Sequence, residues 1–311
     1  MKKLYYLLLL IATVSVAQQK TESKFTKTEV KVNELLPGNL YVPLGGSKTL
    51  VVLIAGSGPT NRDGNQIGLR NNSLRYLCEG LANNGVAAFS YDKRIIAQMI
   101  AGNMDEGKLS FDDLIADAKE VVNFFRKQNK FSKIIIAGHS EGSLIGMVAA
   151  NGTADGFVSI AGAGQTIDNV ITEQITRQMP GLKDEVDKDF ALLKNGQTFE
   201  LKNMALASIF RESVQPYIIS WLKYDPAAEI KRLKIPVLIV NGTKDLQVGV
   251  SEAELLKKAK PDAQYAIIDN MNHILKTISG DDNENSESYN NPDLPVNPEI
   301  VGLISAFAKK I

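Results

Sequence analysis

Four apolar residues, Ile134-Ile135-Ile136-Ala137, run directly into Gly138-His139-Ser140-Glu141-Gly142, and a small, mostly apolar stretch follows from Ser143 to Ala150. The apolar run, bounded by Lys133 and a glycine, suits a strand buried on both faces. The stretch after it reads as a helix. Strand, G-x-S-x-G and helix in that order place the serine on a tight, strained turn above a sheet. Glycines two before and two after the serine let strand and helix approach closely. The hydroxyl is then exposed, and the N–H of Glu141 is free to donate at the helix start.

The rest of the chain fits a sheet of this kind. Thr28–Asn33 alternates like an edge strand, and Leu40–Pro43 follows as a second strand, making an antiparallel hairpin. Buried strands are expected at Thr49–Ile54, Val86–Ser90, Gly156–Ala161, Ile235–Val240 and Ala263–Ile268. Helices are expected at Ser73–Asn84, Ser110–Asn129, Ser251–Lys260 and Pro298–Lys309. The second of these opens with Ser110 and Asp113 in a capping-box spacing. Strands alternating with helices of a dozen residues imply a mostly parallel sheet flanked by helices, an α/β fold. The rhythm breaks between residues 165 and 226, where helical patterns (Ile167–Met179, Glu185–Leu193, Met204–Glu212) occur without a strand. This segment is expected to be a helical cap inserted between two parts of one core, 18–164 and 227–311. Its methionines, Phe190, Phe199, Phe210 and Trp221 are apolar enough to line a pocket, or to pack the insertion onto the body. The polar stretch Gly280–Asn297 reads as a long loop, functional or mobile.

Residues 1–17 have the pattern of a signal peptide: Lys2 and Lys3, an apolar run from Leu4 to Val14, and small residues at Ser15 and Ala17, with cleavage before Gln18. The apolar run is shorter than the ~20 residues that span a bilayer, so no stable anchor is expected after cleavage. The single cysteine, Cys78, cannot form an intramolecular disulfide, and no cysteine lies at the cleavage site to carry a lipid. Periplasmic or secreted placement is therefore expected. Acidic and basic residues balance at 35 each, and no basic patch with interleaved aromatics suggests nucleic acid. No His/Cys/carboxylate cluster has metal-ligand spacing and no phosphate-binding glycine loop appears, so no cofactor is expected.

A serine hydroxyl needs a base to become a nucleophile, and the base needs an orienting group. The chain has two histidines. His139 lies inside the turn, where its side chain is expected to point away from the hydroxyl. The base is then His273, just after the last strand. The acid should follow an earlier strand on the same sheet edge. Asp245 in Gly242-Thr243-Lys244-Asp245 is the leading candidate, and Asp269 the alternative. The glycine-rich loop Ala55–Asn65, after the strand Thr49–Ile54, is the expected source of the first oxyanion donor, from Ser57 or Gly58, with Glu141 as the second.

These motifs together (AGSGPTNRDGN at 55–65, SYDKR at 90–94, AGHSEG at 137–142, NGTKDLQV at 241–248, NMNHILK around His273 and NPDLPVNPE at 291–299) resemble the α/β-hydrolase superfamily. Within it the chain resembles bacterial carboxylesterases and serine-aminopeptidase-like hydrolases with a GSGPxxRDGN loop. Two departures stand out: Ala55 replaces a histidine common before the loop glycine, and Asp92-Lys93-Arg94 is followed by Ile95-Ile96-Ala97 rather than by G-x-G. The resemblance implies an exported serine hydrolase acting on small or medium acyl esters. An aminopeptidase or amidase would need a carboxylate to hold a free amino terminus, for which Glu173, Glu185 and Asp187 are available. A non-catalytic binding protein on the same fold is the remaining alternative.

Overall fold

A computed structural model describes residues 24–311; the expected signal peptide lies outside them. Eight strands form one sheet among these residues: β1 (Phe25–Lys31), β2 (Pro37–Pro43), β3 (Thr49–Ile54), β4 (Ala87–Tyr91), β5 (Lys133–His139), β6 (Gly156–Ile160), β7 (Val237–Gly242) and β8 (Gln264–Ile268). Their spatial order is β1-β2-β4-β3-β5-β6-β7-β8. β3 to β8 run parallel, and β1 and β2 form the antiparallel hairpin at one edge.

The apolar runs are long because the central strands are covered on both faces. In β5, Ile134 and Ile136 face one core while Ile135 and Ala137 face the other, as the two-residue period requires. The first helices are α1 (Ser73–Asn83), α2 (Arg94–Ile100), α3 (Phe111–Gln128) and α4 (Glu141–Ala150). α1 brings Leu77, Cys78 and Leu81 to one face of the sheet; α3 and α4 bring Val121, Phe125, Leu144 and Ile145 to the other. α3 starts at the capping box, with the Ser110 side chain and Asp113 each satisfying backbone at the helix start. Cys78 is fully buried and free, and burial pushes its thiol up to about 12, which makes it inert.

Between β6 and β7 lie α5 (Ile167–Gln178), α6 (Lys183–Lys194), α7 (Ala207–Phe210), α8 (Gln215–Trp221) and α9 (Pro226–Arg232). α5 to α8 have a separate apolar cluster, including Val186, Phe190, Leu193, Leu206 and Phe210. The expected helix Met204–Glu212 is broken. A 3-10 turn, Met204–Leu206, leads into α7, which ends at Phe210. Buried Gln215 is the reason: its amide donates to the carbonyls of Phe199 and Phe210 and accepts from the Phe199 N–H, closing the loop where helix would have continued. Phe190 and Phe210 therefore fill the insertion's own core, whereas Trp221 stacks on Phe111 of α3 at 5.1 Å. α9 returns to the body, capped by Asp225, with Ile230 in the main core.

The remaining helices are α10 (Val250–Ala259), α11 (Asp282–Ser288) and α12 (Pro298–Lys310). α2, α8, α9 and α11 are not among the helices expected from the sequence. α11 interrupts what reads as a polar loop; Asp281 caps it by accepting from the N–H groups of Asn283 and Glu284. Among the described residues no helix is long and apolar enough to cross a membrane. Phe125 is buried against Phe89, Phe124 and Phe131. Phe125→Ala is expected to cost about 3–5 kcal/mol, read as a lower denaturant midpoint with unchanged slope.

Candidate active site

Loops leaving the carboxyl ends of β3, β4, β5, β7 and β8 converge at one edge of the sheet, where ligands bind in open parallel sheets. Ser140 sits at φ 55°, ψ −123°, outside the usual regions for a residue with a side chain. Its N–H is held by the Ile160 carbonyl at 2.9 Å. The flanking glycines make this turn possible. A Cβ on Gly138 would lie 2.0 Å from the Gly142 carbonyl oxygen, and one on Gly142 would lie 2.5 Å from the carbonyl oxygen of Ile54.

His273 is brought to Asp245, with Nδ1 and Oδ2 2.8 Å apart and both residues buried. The other carboxylate oxygen of Asp245 accepts from the N–H groups of Gln247 and Val248, at 2.9 and 2.8 Å. Asp245 is thereby fixed in rotamer and keeps one oxygen for the imidazole, whose Nε2 remains for other work. Asp269 is exposed and is not the partner. The loop bearing His273 is anchored from beneath. Asn272 donates to Asn285 and Ser288 of α11 and accepts from the Lys276 N–H, while Asn285 donates to the Lys244 carbonyl beside the acid. α11 thus clamps the acid and histidine loops together.

His139 does not simply point away. Its Nε2 donates to the His273 carbonyl at 2.7 Å, and the two rings lie 4.8 Å apart. Burial, reinforced by His273 nearby, pushes its pKa down to about 4, so it is neutral near pH 7. No sequence pattern marked this role, because the contact joins residues 134 positions apart.

The loop after β3 is held by its own side chains. The Asn61 side chain accepts from the N–H groups of Asp63 and Asn65, and Asn65 accepts from those of Asn71 and Asn72. Arg62 forks onto Asp92 (Nη2–Oδ2 2.8 Å), whose other oxygen takes the Arg62 N–H at 2.7 Å. The Ser57 carbonyl accepts from Thr60 and Gln66. Among the described residues the N–H groups of Ser57 and Gly58 have no partner within the protein. Both residues line the site with Ser140 and Glu141. A Cβ on Gly56 would lie 3.1 Å from Cβ of Ser140, a tight contact that the missing side chain of glycine avoids.

Two cavities meet at Ser140. One, of about 440 Å³, runs under the insertion and is walled by apolar side chains, among them Leu144, Ile167, Val170, Ile209, Ile218 and Trp221. The other, of about 390 Å³, contains His273, Thr60, Gln66, Asn71 and Tyr289. Ser57, Gly58, Ser140 and Gln247 border both. Among the described residues no group of three or more His, Cys, Asp or Glu is gathered as metal ligands would be.

Strand order, elbow and the placement of the Asp245–His273 pair agree with one fold, and comparison with known proteins bears it out. Est1E from Butyrivibrio proteoclasticus superposes with a TM-score of 0.56 at 16% identity, covering 91% of this chain and 96% of that one. The chain has the α/β-hydrolase fold. An esterase from Pyrococcus furiosus superposes at 0.54 and 16% identity over 92% of this chain and 90% of that one. A family model described as serine aminopeptidase, S33, matches residues 68–208 of this chain. Esterase EstD of Thermotoga maritima is 28% identical over 272 residues, which is 85% of this chain and 63% of that relative. The chain therefore spans a little under two thirds of the curated relative's length.

Gly138→Ala is expected to destabilise the protein by about 3 kcal/mol or more in urea titrations, the upper end of overpacking costs, because backbone rather than a mobile side chain meets the new methyl. A second expectation concerns acid. Unfolded His139 takes up a proton near pH 6.5 and the folded protein only near pH 4. The unfolded state therefore binds more protons between those values, and stability falls as pH falls through that window, by up to about 3 kcal/mol from this residue. Urea midpoints at pH 7, 5.5 and 4.5 should drop less in His139→Gln than in the unaltered protein.

Proposed function

We propose that this α/β-hydrolase is an exported serine carboxylesterase acting on esters of small or medium acyl chains. The observation that carries the reading is the His273 imidazole, held on Nδ1 by Asp245, bordering the same cavity as a serine on a nucleophile elbow. In the first step Nε2 of His273 takes the Ser140 hydroxyl proton as Oγ bonds to the ester carbonyl carbon. The carbonyl electron pair moves onto oxygen, which the N–H groups of Glu141 and of Ser57 or Gly58 receive. When the intermediate collapses, the C–O bond to the alcohol breaks and His273 returns the proton to the leaving alkoxide. Water, deprotonated by His273, then attacks the acyl-enzyme, and Ser140 leaves with that proton. Asp245 stabilises the imidazolium formed in each half.

The apolar cavity beneath the insertion suits the acyl chain, and the helices over it act as its cap. An aminopeptidase would need an unpaired carboxylate there. The two acidic residues lining that cavity, Glu106 and Glu141, are each paired, with Arg211 and Lys93 respectively. Glu185 and Asp187 are bound to Asn203 and Lys183, and Glu173 accepts from Gln165. None of these three lines either cavity. A cationic amino terminus would have no free partner, which favours neutral acyl esters.

The test is a chain-length series of p-nitrophenyl esters with residues 18–311. Ser140→Ala and His273→Ala should each lower kcat by at least about 10³-fold, and Asp245→Asn by about 10²- to 10⁴-fold. Faster cleavage of aminoacyl p-nitroanilides than of any ester would overturn the ester preference. Turnover of neither substrate would favour a binding role.

A further inference from the structure

Asp92-Lys93-Arg94 follows β4 directly, and each residue holds a different part of the molecule. Asp92 holds Arg62 of the loop after β3, and Arg94 forks onto Asp117 of α3. Lys93 turns inward, 5% exposed, into the floor of the apolar cavity. A lysine ammonium in such a place needs acceptors, and it has two. One is the Glu141 carboxylate at 2.6 Å; the other is the Gly56 carbonyl at 3.0 Å.

Both partners belong to the oxyanion site. The Gly56 carbonyl and the Ser57 N–H are two ends of one peptide group. No peptide bond in the described chain is cis, so these two dipoles point in opposite directions. An ammonium that fixes the carbonyl aims the N–H the other way. Drawing electron density toward that carbonyl also makes the N–H a stronger donor. Glu141 supplies the second N–H from its own backbone. Its carboxylate is buried one residue from the nucleophile, where an unpaired negative charge would oppose a developing oxyanion. Lys93 neutralises it. The remaining carboxylate oxygen accepts from the Tyr217 hydroxyl of α8 at 2.7 Å, so the insertion fixes the rotamer of Glu141. Burial and the adjacent Glu141 raise the Tyr217 pKa well above its usual value, and it stays a donor.

We propose that Lys93 is a positioning residue for the oxyanion hole, aiming the Ser57 N–H through the Gly56 carbonyl and cancelling the charge of Glu141. The inference rests on the serine-esterase reading above, and it selects Ser57 over Gly58 as the first donor. The departure from D-K-R-G-x-G leaves this lysine in place.

The experiment compares Lys93→Met, Glu141→Gln and the double variant with the unaltered protein and Ser140→Ala. Initial rates on p-nitrophenyl butyrate are normalised to active sites titrated with a phosphonate. Affinity for a trifluoromethyl ketone, which adds to serine as a tetrahedral oxyanion, is measured alongside. Lys93→Met should lose about 10- to 100-fold in kcat with KM changed less than threefold, and ketone affinity should fall in step. Glu141→Gln, nearly isosteric, should lose about 3- to 10-fold in both, and the double variant should be no worse than Lys93→Met. A lysine that only supports folding would lower the melting temperature and the titratable fraction, leaving kcat per site and ketone affinity within twofold; that result would overturn the proposal. If Lys93→Met does not fold, the same criterion applied to Glu141→Gln settles it. Turnover in the unaltered protein that survives Ser140→Ala would sink the serine reading itself. Loss in Ser140→Ala with Lys93→Met unimpaired would sink only the role of Lys93.

Discussion

A helix begins within van der Waals distance of the strand that feeds it, and the site is arranged around that approach. The β5–α4 turn leaves no volume for side chains at Gly138 or Gly142. Ser140 is consequently held in a conformation a free chain would avoid. The strain is sustained by a buried part of the sheet. β5 lies between β3 and β6 with both faces covered, and the Ser140 N–H is tied across to β6. A less rigid sheet would let the turn relax and move the hydroxyl from its place between the two cavities.

Rigidity also comes from charges spent in pairs. Arg62, Lys93 and Arg94 each meet a carboxylate in a place water scarcely reaches. Such pairs add little net stability compared with apolar packing, but removing one partner leaves the other stranded, so they fix geometry strongly. Here they join the loop after β3, the elbow and α3 through three consecutive residues. Of these pairs, Lys93–Glu141 borders the apolar cavity.

Much of this was legible in the sequence because it is local. The apolar strands, the capping box at Ser110 and the G-x-S-x-G turn are properties of short stretches, and the structure reproduces them within a residue or two at most ends. The Asp245–His273 pair was accessible because only two histidines exist and one lies inside the elbow. What could not be read depends on partners far along the chain. Gln215 breaking the helix at Phe210, His139 under the His273 carbonyl, and Lys93 between Gly56 and Glu141 have no signature at their own positions. α11 was hidden for a different reason. Its residues, DNENSES, have weak helix propensity, and the helix is held by its Asp281 cap and by Asn285 and Ser288 meeting Asn272.

That clamp also joins parts of the site that lie far apart along the chain. The elbow and the glycine-rich loop after β3 belong to the first half of the chain. Asp245 and His273 lie beyond the insertion, and their loops are fastened to each other directly, by the Asp245–His273 bond and by the Lys244 N–H on the Met271 carbonyl, and from beneath by Asn285 and Ser288 of α11. A single peptide-bond cut within the exposed stretch that carries α11 would loosen both loops from beneath without touching Ser140, Asp245 or His273.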